Sequence, residues 1–250
     1  MHIIMIVLLV FLAIVGLLFF MGRHTFWLPT RNAAWPRLLM LHQVTPDAEA
    51  SGMNMPPVRF ERLLQLLQQK KLHFVTVAEL INSPKPRSVA LTFDDGFADN
   101  YHYAFPLLKK YNAKATIYLT PDIDGIDKLT DAQIREMSQS GLVEFGAHTL
   151  HHVNLLKVDD HEAMQEIRGS KERVESLTGK CVSFAYPYGR FDERHQVMVE
   201  AAGFSSAVST RKRVELPSLA NYFNLPRIST NGTMSVFQMR IALAKGRFRL

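Results

Sequence analysis

Cysteine is nearly absent from this 250-residue chain: Cys181 is the only one. A lone thiol excludes an internal disulfide and a zinc site built from several cysteines, and it leaves the redox compartment undecided. Internal repeats and low-complexity segments are also lacking, apart from one apolar run near the N-terminus. Lys and Arg outnumber Asp and Glu by 29 to 23, for a formal net charge of +6, yet the basic residues are scattered rather than clustered along the sequence. No nucleic-acid motif accompanies them, so the charge gives no support to a nucleic-acid partner and leaves anionic lipid headgroups or glycans as candidates. A hydrophobic content of 47% with 21% charged residues is ordinary for a globular protein, and the length leaves room for one domain with a sizeable core.

The apolar run covers residues 3–21, relieved only by Gly16. At ~1.5 Å per residue it extends about 28 Å, enough to span a bilayer core. No Lys or Arg precedes it, and Phe19-Phe20-Met21-Gly22-Arg23-His24 contains no small-residue cleavage site. An uncleaved anchor is therefore expected in preference to a removed signal peptide. Arg23, Arg31 and Arg37 follow the run, which by the positive-inside rule predicts that the rest of the chain is cytoplasmic.

Beyond a linker with two prolines, strand-like and helix-like patterns alternate with short connections. Residues 37–44 read as a strand ending at His42, residues 58–70 as an amphipathic helix, residues 74–77 as a short strand and residues 78–81 as a short helix. Strands are expected at 88–93, 115–119, 141–147, 181–185, 205–208 and 223–228, and helices at 101–111, 131–140, 159–178, 191–202 and 235–244. Such alternation predicts a parallel α/β architecture, in which groups at the C-terminal ends of strands converge on one face.

Three stretches at strand ends carry candidate chemistry. In Leu91-Thr92-Phe93-Asp94-Asp95-Gly96 two adjacent carboxylates end an apolar strand. They read either as turn chemistry or as a pair in which one binds a metal and the other moves protons. In Gly146-Ala147-His148-Thr149-Leu150-His151-His152 the spacing of His148 and His152 would put both on one side of a helical turn, able to share a metal, with His151 turned elsewhere. Two imidazoles and a carboxylate leave coordination positions open, as a catalytic site needs. Zn²⁺ fits that donor set best, with Co²⁺, Ni²⁺ and Mn²⁺ as alternatives. In Ala185-Tyr186-Pro187-Tyr188-Gly189 the Pro and Gly fix a turn that either aims the Tyr188 N–H at a developing oxyanion or is a plain strand–loop junction with surface aromatics.

Thr92-Phe93-Asp94-Asp95-Gly96, His148-Thr149-Leu150-His151-His152 and Pro187-Tyr188-Gly189, in this order, resemble the first three motifs of the polysaccharide deacetylases, the NodB-homology domains of carbohydrate esterase family 4. The similarity of layout runs from about Leu38 to Ala244. The resemblance implies a distorted (β/α) barrel of seven or eight strands and a divalent-metal-dependent removal of acetyl groups from N-acetylglucosamine units of a glycan. It divides the chain into an anchor or signal segment (1–22), a linker (23–37) and a deacetylase domain (38–250). Carried over position by position, Asp95, His148 and His152 would hold the metal, Asp94 would be the general base, and Pro187 with the Tyr188 N–H would serve the oxyanion.

Two departures qualify the match. The position ahead of Pro187 that usually carries a base-steering Arg is Ala185 or Tyr186 here, and no histidine follows Gly203 to supply the usual late acid. His42, together with Phe184-Ala185-Tyr186-Pro187-Tyr188-Gly189 and Asn224-Leu225-Pro226-Arg227-Ile228, resembles the branch that deacetylates poly-β-1,6-N-acetylglucosamine. In that branch His42 would be the acid and Arg227 the steering Arg; the bland alternative keeps His42 as a strand-end residue. A deacylase of lipid-linked sugars on the same site and a glycan-binding module without activity are the competing functions. A glycan substrate implies an extracytoplasmic domain, against the three arginines, and is given the greater weight. The partners implied are the glycan and, through the N-terminal helix, membrane lipid. No protein partner is indicated.

Overall fold

A computed structural model describes residues 2–218 and 220–249. The apolar run forms one continuous helix, α1 (His2–Arg23), with no buried residue. Eight strands follow, all paired in parallel: β1 (Arg37–Leu41), β2 (His73–Phe74), β3 (Ser88–Phe93), β4 (Ala115–Leu119), β5 (Val143–Ala147), β6 (Ser183–Ala185), β7 (Ser206–Val208) and β8 (Ile228–Ser229). The sheet runs in the order β7-β6-β5-β4-β3-β1-β8, with β2 paired to the start of β3. Every residue of β3 and β4 is buried, as in a parallel strand covered on both faces. The path curls round on itself. Leu225, three residues ahead of β8, bridges Val208 of β7, with Leu225 N–H donating to Ala207 and Ser209 N–H to Leu225. This is the distorted (β/α) barrel that the motif order implied.

The helices pack outside. α2 (Pro57–Gln69) opens on a proline in its first turn and buries Phe60, Leu63, Leu64, Leu66 and Leu67, the stripe visible in the sequence. Full burial of such side chains contributes roughly 1.5–3 kcal/mol each. Reciprocal capping boxes start α3 (Val77–Asn82), α5 (Asp131–Gln139), α7 (Glu193–Ala201) and α8 (Val236–Lys245), through Thr76/Glu79, Thr130/Gln133, Asp192/His195 and Ser235/Gln238. α4 (Phe105–Tyr111) ends on left-handed Asn112, and α6 (Asp160–Thr178) starts on Asp159 and ends at Gly179.

Four expectations change in detail. β1 stops at Leu41, leaving His42 just beyond its end. The second strand is only two residues long, because Thr76 leaves the sheet to cap α3. The helix expected from residue 101 begins as a π-turn over Asn100–Ala104. The last strand is confined to Ile228–Ser229; Tyr222–Asn224 form a 3₁₀ turn, and Pro226 has no N–H for a ladder.

Candidate active site

The carboxylate pair diverges because of its backbone. Asp94 N–H continues the ladder past β3 by donating to Leu41 O at 3.0 Å. Asp95 then takes a left-handed conformation (φ 75°), as does Gly96 (φ 78°), where an added Cβ would lie 2.7 Å from Leu119 Cδ2. The two side chains therefore leave in different directions. Asp94 meets Arg227: Nη1 donates to Oδ1 at 2.6 Å and Nη2 to Oδ2 at 2.8 Å. Arg227 is fully buried, and its remaining donors reach Thr92 Oγ1 at 3.0 Å and Ser209 O at 3.1 Å. Burial, the largest single influence, would raise the Asp94 pKa, but the charge and hydrogen bonds of Arg227, with His148 and His42 adding to them, together hold the carboxyl well below the usual range.

Asp95 faces the histidines instead. His148 follows β5 and donates its N–H to Leu119 O at 2.8 Å. Its Nδ1 lies 2.7 Å from Ala185 O. A carbonyl can only accept, so the proton sits on Nδ1 and the Nε2 lone pair is left facing Asp95 Oδ1 at 3.6 Å. His152 Nε2 lies 3.4 Å from the same oxygen. The sequence spacing suggested one helical turn; the structure joins the two rings by a loop instead, with Thr149 (φ 62°) and His152 (φ 58°) both left-handed. That loop is held from outside by Glu166 of α6. The buried carboxylate accepts from Leu150 N–H (2.9 Å), His151 N–H (3.0 Å) and His151 Nδ1 (2.7 Å). His151 accordingly points away from the other two rings, half in solvent.

Asp95 Oδ1 is buried and makes no hydrogen bond, although two imidazole nitrogens face it. One ligand atom from each of Asp95, His148 and His152 lies within 4.8 Å of the others, a donor set that fits a divalent cation. The electrostatics agree. Burial, with the Asp94 charge adding to it, pushes the Asp95 carboxyl up to about 7. Burial pulls His148 down to about 3 and also lowers His152, in both cases favouring the neutral imidazole that a ligand must present.

His42 stands across from this trio, its Nε2 4.0 Å from Asp94 Oδ2. Burial lowers its pKa, opposed by the Asp94 charge and reinforced by Arg227. The main chain around it is tied to the π-turn, a type of helix defect frequent at functional sites. Buried Asn100 donates to His42 O at 2.9 Å, and Asp99 Oδ1 accepts from Val44 N–H at 2.9 Å. Pro187–Gly189 form a 3₁₀ turn after β6 with Tyr188 left-handed (φ 56°). The Tyr188 ring is exposed and lies 4.4 Å from the His152 ring.

All the site residues expected from the sequence thus gather at the C-terminal ends of β1, β3, β5, β6 and the segment entering β8. Glu166, Asn100, Asp99 and Thr92 were not singled out, and each acts on the site through another residue. Thr92 belonged to a quoted motif; the other three carry no signal in a single sequence.

The polysaccharide deacetylase family profile matches residues 81–207. A Bacillus subtilis protein, YxkH, assigned provisionally to the polysaccharide deacetylases, is 30% identical over 192 residues, covering 74% of this chain and 67% of its own length. The poly-β-1,6-N-acetyl-D-glucosamine N-deacetylase of Staphylococcus aureus is 26% identical over 200 residues, covering 72% of this chain and 69% of its own. Among solved structures, the Streptococcus pyogenes deacetylase PplD superposes with a TM-score of 0.74 at 26% identity, over 85% of this chain and 99% of that one.

Proposed function

Because this chain belongs to the polysaccharide deacetylase family, we propose that residues 38–250 form a divalent-metal-dependent N-deacetylase acting on N-acetylglucosamine units of a poly-β-1,6-linked glycan, held at a membrane by residues 1–22. The observation that carries the reading is the convergence of Asp95, His148 and His152 beside an Arg-clamped Asp94. The similarity to the Staphylococcus aureus enzyme supports the choice of glycan.

Asp95, His148 and His152 would hold the cation, with Zn²⁺ the best match to two imidazoles and a carboxylate and Co²⁺, Ni²⁺ or Mn²⁺ as substitutes. Such an ion supplies polarisation of the acetyl carbonyl and acidification of water. Asp94 takes the proton of the attacking water. Arg227 fixes the orientation of that carboxylate and keeps it ionised, at the cost of basicity, so the proton passes onward readily. His42 is within reach to receive it and deliver it to the departing amine; burial keeps its imidazole neutral until then. The Tyr188 N–H, on the turn fixed by Pro187, supports the oxyanion.

Of the three arginines that follow the span, Arg37 is locked into the folded domain. Its guanidinium is buried and donates to Leu243, Asn32 and Trp35 carbonyls. Arg23 and Arg31 still carry the positive-inside bias toward the cytoplasm, so the extracytoplasmic placement rests on the glycan substrate.

The deciding experiment measures acetate released by the full chain from β-1,6- and β-1,4-linked N-acetylglucosamine oligomers, before and after chelation and after adding Zn²⁺ or Co²⁺. The expected result is release from the β-1,6 series that chelation abolishes and metal restores. Release indifferent to chelation would overturn the metal-dependent reading. Bound metal without any hydrolysis would return the protein to the glycan-binding class.

A further inference from the structure

The basic residues that are scattered along the sequence are gathered by the fold. Lys212, from the loop after β7, and Arg247 and Arg249, from the tail after α8, line one cavity of about 460 Å³. Ser229, Asn231 and Gln238 add hydroxyl and amide donors to its wall, and no Asp or Glu side chain is among the described lining residues. The acid of the neighbouring loop, Glu215, is paired with Arg211 and Arg213. Three cations around a common space repel one another unless an anion enters.

The position of this cavity identifies the anion. The tail that carries both arginines is bonded to the residues following α1. Thr25 Oγ1 donates to Arg247 O at 2.8 Å, Thr25 N–H donates to Phe248 O at 3.2 Å, and His24 bridges Arg249, with its ring 4.9 Å from that of Phe248. The tail that lines the cavity is thus bonded to the residues just beyond the last turn of a 22-residue apolar helix with no buried residue. If that helix spans a bilayer, its end lies at the depth of the lipid phosphates. We propose that the cavity formed by Lys212, Arg247 and Arg249 binds the phosphate of an anionic phospholipid headgroup, seating the catalytic domain on the membrane surface. The proposal rests on the reading of α1 as an anchor and is independent of the deacetylase chemistry.

The test uses the full chain in neutral detergent, titrated with short-chain phosphatidylglycerol, with phosphatidylcholine and with inorganic phosphate. Wild type is expected to bind phosphatidylglycerol in preference to the other two. The triple variant Lys212→Gln, Arg247→Gln, Arg249→Gln is expected to bind it at least ~10-fold more weakly. A control triple of exposed cations elsewhere, Arg135→Gln, Lys157→Gln, Arg168→Gln, should match wild type. Equal affinity for the two lipids, or equal weakening by the control triple, would overturn the site. Inorganic phosphate binding as tightly as phosphatidylglycerol would reassign it to a free anion and overturn the headgroup. Alkaline washing of membranes separates the premises. A chain that washes off refutes the anchor and the proposal with it, whereas a retained chain without lipid preference refutes the headgroup site alone.

Discussion

Arg227 is the residue that gives two adjacent aspartates different surroundings. By taking both oxygens of Asp94 it leaves Asp95 as the only one of the pair free to face the histidines. Asp94→Asn should therefore retain metal while lowering acetate release by about 10²-fold or more. His42→Ala should lower kcat with metal content unchanged. Metal analysis alongside steady-state kinetics checks both, and near-wild-type turnover in Asp94→Asn would refute the assignment of the base. At this scale much of the site was legible. Asp94, Asp95, His148, His152 and Tyr188 sit in short motifs at strand ends, where a parallel sheet collects its functional groups. Arg227 was readable only through its place in Asn224-Leu225-Pro226-Arg227-Ile228, since its partner is 133 residues away.

At the scale of elements, the ligand loop between β5 and α6 depends on a contact with no sequence signature. Glu166 looks like any helix carboxylate, yet it is buried and accepts two main-chain N–H groups of the loop that carries His148 and His152. Gly169, one turn further along α6, leaves room for the same loop: a Cβ there would lie 2.5 Å from Leu150 Cδ1. Glu166→Ala removes Oε2, which both loop N–H groups share, and Oε1, which faces His151 Nδ1, so the loop loses all three contacts. The expected outcome is metal affinity weaker by ~10-fold or more with α6 intact, measured by competition with a chromophoric chelator and by circular dichroism. Affinity unchanged from wild type would show that the loop holds its shape without Glu166. The same distinction explains the errors in element boundaries. Period and capping residues marked the helices, but a π-turn at Asn100–Ala104 and left-handed residues at Thr149 and His152 answer to tertiary contacts that local pattern does not encode.

For the whole molecule, the balance of buried charge makes metal binding and stability respond to pH together. Asp95 in the folded, metal-free protein titrates near 7, raised from an ordinary 3.8. A raised pKa means that its contribution to stability is complete below about 3.8 and is lost as pH rises through 7. Asp94 acts in the opposite sense: its depressed pKa gives stability above about 3.8 that disappears only in stronger acid. Of the two aspartates, it is Asp95 whose contribution changes between pH 5 and 8. The Tm of metal-free protein should fall across that interval, and bound cation should cancel the fall, as differential scanning fluorimetry would show. Metal affinity should rise with pH up to about 7 and then level off as the Asp95 proton ceases to be displaced, with a slope of about tenfold per pH unit where that proton alone is lost. A slope of two or three protons would mean that the imidazoles also start protonated. Asp95→Asn should remove the fall of the metal-free Tm that is centred near pH 7.

The segment that closes the barrel between β7 and β8 also carries Arg227, which joins two events in time. Synthesis runs from the N-terminus, so Asp94 leaves the ribosome 133 residues before its counter-charge. Until residues 225–229 bridge the two edges of the sheet, Asp94 stands beside Asp95 without the guanidinium that holds both its oxygens. On the proposed mechanism the Asp94 carboxylate is oriented only once this last strand is in place, so a copy truncated before residue 225 is expected to release no acetate.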